Sequence, residues 1–197
     1  MSSIVIKGNT SGQIELAAPA VAGTNTITLP ASSGTLATTA DIPAGGKILQ
    51  VVQTNKTSSF STTSGGYTDI TGYSATITPS SISSKILIMS NFFVGDATSA
   101  YPRLRLLRDA TFIFIGDAYG SATQGSAAMH TAAFASTAII SVGTTYLDSP
   151  ATTSAVTYKW QIATFSSRAA VIGATSGSSD GNNMSVPSTI TLMEVAS

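Results

Sequence analysis

Few side chains in this sequence could move a proton or hold a metal, and those few are scattered. His130 is the sole imidazole and there is no Cys, so a Ser–His mechanism would have to run through His130 and a thiolate mechanism has no nucleophile. Its neighbours, residues 127–129 and 131–133, include no acid that could orient the ring. Gly177–Gly181 (GSSDG) matches the G-x-S-x-G nucleophile elbow. That elbow needs a strand-to-helix turn beneath the serine, and this one stands in a Gly/Ser/Asn-rich stretch with no helical periodicity after it. Seven Asp and two Glu could supply a carboxylate pair for glycan cleavage, Asp117 and Asp148 among them. Their spacing pairs none of them: Asp96, Asp109, Asp117, Asp148 and Asp180 all stand beside turn formers, where an Asp commonly accepts from its own backbone. No calcium-loop spacing and no His-x-x-x-His pair occurs, so the reading is of no cofactor, no metal and no enzyme. Arg103, Arg105 and Arg108 form the one basic cluster, with Phe112 and Phe114 a hairpin away. Because Asp109 abuts it, the cluster reads as a solvated sheet face or a subunit salt bridge, not a phosphate track.

The composition agrees with a protein that binds or builds. The 197 residues carry 9 Lys+Arg against 9 Asp+Glu and are 43% hydrophobic but only 9% charged, against a usual quarter charged. Solubility must come from hydroxyls, 30 Ser and 29 Thr. A neutral chain lacks the field that draws a protein to nucleic acid. No apolar run approaches the roughly 20 residues that span a bilayer, so no membrane insertion is expected. The N-terminus has no basic region ahead of an apolar stretch, so it does not read as a secretory signal.

Two regions follow from the pattern. Residues 1–46 hold three short alternating pieces, Ile4–Ile6, Gln13–Leu16 and Thr26–Leu29, each set off by Gly, Pro, Ser or Asn. Such pieces signal strands too short to form a stable sheet alone. We therefore read 1–46 as an extended anchoring segment that docks on other proteins through Ile14, Leu16, Ile27 and Leu29. From residue 47 to 197, strand signals recur at the roughly 8–12-residue spacing of an all-β sandwich. They fall at Ile48–Thr54, Tyr73–Thr78, Lys85–Val94, Arg103–Arg108, Thr111–Ile115, Ala128–Ala135, Ala138–Val142, Ala155–Thr164, Ala169–Ile172 and Thr189–Val195, with turns at Gly95–Asp96, Asp109–Ala110 and Gly143–Thr145.

Alternation predicts which faces are buried. Val156, Tyr158, Trp160 and Ile162 share one face, and Leu104 and Leu106 point opposite to Arg103 and Arg105. Ile86–Met89 and Phe112–Ile115 are apolar on both faces. A sandwich has one interior, so the second face predicts contact with another copy, with Ile86, Ile88, Phe112 and Phe114 as the candidate subunit interface.

Residues Gly12–Leu36 (GQIELAAPAVAGTNTITLPASSGTL) resemble the leader segments of structural proteins from tailed bacteriophages, especially marine and cyanobacterial ones. Thr145–Lys159 and Ser188–Val195 are similar to strands that close the jelly-roll knobs of phage fibre and appendage proteins. The resemblance implies a homotrimeric, jelly-roll-like antiparallel sandwich located on the virion, fixed to other virion proteins through 1–46 and able to meet host glycans. A chain of 197 residues has no room for a long shaft, which favours a short fibre or a capsid decoration protein.

Overall fold

The structure, a computed structural model, describes residues 3–7, 11–17, 46–96, 100–129, 139–165, 167–175 and 184–197, with backbone only at 3–6, 13–14, 16–17 and 96. The chain divides into Met1–Ile42 and Pro43–Ser197. The first unit contains the antiparallel pair β1 (Ser3–Lys7) and β2 (Gln13–Ala17), with Ile14 opposite Ile6 and Leu16 opposite Ile4. Ile27 and Leu29 lie outside the described residues, as do His130, Asp180 and the GSSDG stretch.

The second unit is an all-β, antiparallel sandwich whose strands are β3 (Ile48–Lys56), β4 (Phe60–Thr62), β5 (Thr68–Ile77), β6 (Lys85–Asp96), β7 (Arg103–Arg108), β8 (Thr111–Ile113), β9 (Ala127–Ala128), β10 (Ile139–Asp148), β11 (Val156–Ala163), β12 (Ala170–Ile172) and β13 (Ser188–Val195). One sheet runs β3-β13-β6-β10, with β12 and β4 continuing beside the far end of β6. The other runs β5-β11-β7-β8, and β9 adds to β7. Leaving the short β4, β9 and β12 aside, successive strands alternate between the sheets except for the β7–β8 hairpin, and the first strand lies beside the last. That is jelly-roll topology, two interleaved Greek keys.

The strands form where the period-2 pattern is cleanest. β11 alternates buried and half-buried residues, placing Val156, Tyr158, Trp160 and Ile162 inside as its spacing predicts. Trp160 sits at the centre against Phe92, ring centroids 5.2 Å apart, and Phe92 meets Tyr73 edge-on at 5.8 Å. The polar tips are satisfied: Trp160 Nε1 donates to Ser90 Oγ (2.9 Å) and Tyr73 Oη to the Thr189 carbonyl (2.7 Å). Burying such rings contributes roughly 1.5–3 kcal/mol each only because those tips stay hydrogen-bonded. In β5, Ile70 and Tyr73 both face inward although three residues apart, because a bulge centred on Gly72 (φ 76°) inserts extra residues opposite β11.

Three expectations change. Gly143–Thr145 is no turn but the middle of β10, and Gly95–Asp96 continues β6. β4 was not expected at all. The third change concerns Ile86 and Ile88, expected at a subunit interface, which are fully buried in the chain's own core. β6 is a central strand with one apolar face turned inward and one outward. Cross-sheet packing onto Trp160 selects the even-numbered residues for the interior, and the outward apolar residues are Leu87 and Met89.

Candidate functional site

The outward face of the larger sheet follows from register. Val51 of β3 lies opposite Met193 of β13, Met193 opposite Leu87 of β6, and Leu87 opposite Leu147 of β10. Those four residues make an apolar row across four strands. Val51 (56% exposed), Leu147 (45%), and the flanking Leu49 (48%) and Met89 (43%) remain open to solvent. Adjacent rows are mostly hydroxyl and amide, broken by Met89 and Gly143: Gln53–Thr191–Met89–Thr145 and Asn55–Thr189–Asn91–Gly143. Where Gly143 supplies no side chain there is a shallow depression of about 270 Å³, bordered by Met89, Asn91, Thr145 and Thr191 among others. A Cβ at Gly143 would meet nothing within 4 Å.

The outward face of the smaller sheet carries a polar ladder. Lys159 Nζ and Gln161 Nε2 donate to the two Asp69 oxygens at 2.8 and 2.6 Å, and Arg105 Nε donates to Gln161 Oε1 at 2.7 Å. The Arg105 guanidinium lies 4.2 Å from the Tyr67 ring centroid and 5.5 Å from that of Phe112. The Lys159 and Gln161 hydrogen bonds hold the Asp69 carboxyl below its usual range. Phe112 therefore faces outward, half-buried at this ladder. Phe114, expected at an interface beside it, instead has φ 54°, turns off the strand and packs on the core with its ring 4.9 Å from that of Tyr146. Its left-handed backbone breaks the alternation that the expectation assumed.

The basic cluster is not one patch. Arg108 crosses to the other sheet and pairs with buried Asp148 at 2.9 Å, and Tyr158 Oη donates to the same carboxylate at 2.6 Å. Both Asp148 oxygens accept from Arg108 or Tyr158, so this carboxylate ties two sheets together. Burial, and then the Asp148 carboxylate beside it, push the Tyr158 phenol far above its ordinary value. Asp117, the other residue considered for glycan cleavage, is exposed on the loop after β8. Among the described residues no cluster of three or more His, Cys, Asp or Glu could hold a metal.

Glu194 is a site the sequence did not announce. Its side chain is fully buried, and Oε1 accepts from the Ser80 amide (2.7 Å) and hydroxyl (2.6 Å) while Oε2 accepts from Gln50 Nε2 (2.6 Å). Burial pushes its pKa up, but the hydrogen bonds from Ser80, Gln50 and Ser84 outweigh it and hold the carboxyl down at about 2. It is a clamp, ionised at neutral pH, that joins β3, β13 and the β5–β6 loop.

At one end of the sandwich an open cleft of about 430 Å³ is lined by Tyr101, Arg103, Ala128, Met129 and Phe165. Tyr101, held at φ 44°, meets Phe165 edge-on with centroids 6.0 Å apart. Arg103 donates through Nη1 to Thr123 Oγ1 (3.4 Å) and through Nη2 to the Thr164 carbonyl (3.2 Å), both neutral acceptors. Among the described residues, its buried Nε has no hydrogen-bond partner. A second cavity of about 140 Å³ also borders Arg103 and Ala128, and the buried Tyr67 hydroxyl on its wall likewise lacks a partner.

No family model matches the chain, and no curated protein matches it. Among solved structures it is similar to a chain of the structure of the infectious bursal disease virus Gt strain. The two are 13% identical, the match covers 97% of this chain and 47% of that one, and the TM-score is 0.37. The chain thus spans about half the length of that neighbour, and a likeness this slight decides nothing about function. The jelly-roll class rests on strand order alone, and that class serves virion and sugar-binding proteins alike.

Proposed function

We propose that this chain is a non-enzymatic surface protein of a tailed-phage virion: residues 1–46 fix it to the particle and residues 47–197 form a knob that assembles as a homotrimer. The observation that carries this reading is the apolar row Val51–Met193–Leu87–Leu147 with Leu49 and Met89 beside it. The exposed fractions of these side chains amount to an apolar patch on the order of 400 Å², comparable with the roughly 300–600 Å² of the largest patch on a typical monomer, which is often functional. Covering it would release roughly 10 kcal/mol of transfer free energy, comparable with the roughly 4–15 kcal/mol that association costs. One such contact is marginal. In a closed ring each copy meets two neighbours, and the Thr, Gln and Asn rows add hydrogen-bonded area toward the roughly 800 Å² that a standard interface needs from each side. The occupant of this face is therefore a second copy of the chain, around an axis beside the sheet.

The leader resemblance at Gly12–Leu36 supports the virion assignment and a short fibre or appendage. Labelling intact particles with an antibody against residues 47–197 tests it. Label at the tail or neck is the expected result; label over the head would move the role to capsid decoration. Particles that carry no label would overturn the reading.

A further inference from the structure

We infer that the cleft between Tyr101, Arg103 and Phe165 is a binding site for a carboxylate-bearing sugar residue. The site stands on its own geometry, and only the origin of the sugar, a host surface glycan, rests on the virion reading above. At about 430 Å³ the cleft lies in the roughly 300–1,000 Å³ range of small-molecule sites. Its walls divide into two kinds. Tyr101 and Phe165 offer ring surface, and Phe165 is 57% exposed although it stands beside an apolar cavity that could cover it. Arg103 offers charge. In the described ion pairs, Arg108–Asp148 and Lys159–Asp69, it takes no part, and among the described residues its half-buried guanidinium donates to the Thr123 hydroxyl and the Thr164 carbonyl alone.

A half-buried guanidinium with no carboxylate partner among the described residues favours an anion on its open side. The planar guanidinium matches the fork of a carboxylate, as it does a phosphate, and the apolar ring walls favour a sugar acid with a single charge. A saturated ring carrying one carboxylate satisfies both kinds of wall: its C–H face covers the aromatic edges while its anion takes the donors. A polynucleotide would need several phosphate contacts, and among the described residues lining the cleft Arg103 is the one cation. The backbone strain of Tyr101 at φ 44° fixes one wall in advance of binding.

The test is calorimetric titration of the full-length protein with trisaccharides ending in glucuronate, galacturonate or sialate, each matched by a neutral counterpart. At least one acidic trisaccharide should bind saturably and at least tenfold more tightly than its neutral partner. Arg103→Gln should cost at least tenfold and Phe165→Ala several-fold. Arg103 is half-buried, so Ala128→Leu, at the exposed position opposite Arg103 in the strand register, serves as a second block that fills the cleft without removing the charge and adds no tryptophan; it should abolish binding with the Trp160 emission unchanged. No binding by any acidic trisaccharide, or equal binding by Arg103→Gln and the parent, would overturn the site. Particle labelling is independent of these titrations, so a failed site and a failed virion reading give different results.

Discussion

Lowering the pH from 5 to 2.5 should destabilise the sandwich through Glu194. In the folded chain its carboxyl is held at about 2, against 4.5 for the free group. The unfolded state therefore binds the proton more readily throughout the interval between those values, and stability falls as pH falls across it. Above about pH 5 the contribution is fully present. A shift of that size corresponds to roughly 3 kcal/mol from this one group, a large share of the roughly 5–15 kcal/mol that holds a domain. About 2.4 kcal/mol of this is lost between pH 5 and pH 2.5, which is still above the folded value, so with a urea slope of about 2 kcal/mol/M the unfolding midpoint should move down by about 1.2 M. Trp160 is the only tryptophan and is fully buried, so its emission reports the transition directly. Glu194→Gln keeps the shape but sets an amide N–H against Ser80 or Gln50 donors. It should lower the midpoint at pH 7 by about 1 M and flatten the pH dependence in this window. Parallel pH profiles for the parent and Glu194→Gln would refute the reasoning, since the acid loss would then come from other groups. Asp69, also depressed but exposed, acts in the same direction and adds only a surface-sized part.

Neighbouring residues of β6 should behave oppositely: Ile88→Ala should cost about 2–5 kcal/mol of stability, while Met89→Ala should change the urea midpoint little and weaken self-association seen by light scattering. Tyr158→Phe removes a hydrogen bond to the buried Asp148 carboxylate and should cost about 1.5–3 kcal/mol in the same unfolding assay. Ala151, held at φ 51°, should gain about 0.5–1 kcal/mol on replacement by Gly, read as a rise in thermal midpoint.

Local pattern explains what could be read in advance. The Val156–Ile162 alternation fixed a half-buried strand because period 2 and burial are one geometric fact, and Arg108–Thr111 marked the β7–β8 hairpin, where Arg108 indeed lies opposite Thr111. Ile86–Met89 shows the limit of such reading. A strand apolar on both sides announces two covered faces, but which one meets Trp160 depends on the opposing sheet. Gly143 was misread because glycine usually breaks strands, whereas a strand at the sheet margin with an open outer face tolerates it. The Glu194 clamp and the Arg103 cleft were invisible for another reason. Ser80 and Glu194, or Tyr101 and Phe165, are brought together only by the crossing connections of the jelly roll, and no spacing along the chain encodes that meeting.

Sedimentation equilibrium of the full chain, alongside Met89→Glu and Gly143→Arg, tests the central claim most directly. Both substitutions point outward, and a Cβ at position 143 has open space, so neither should disturb the fold. The parent should sediment at three times the 19.9 kDa chain mass, and each variant should shift toward the single chain with its Trp160 emission unchanged. A parent that remains a single chain at every concentration, or a trimer that survives both substitutions, would contradict the account.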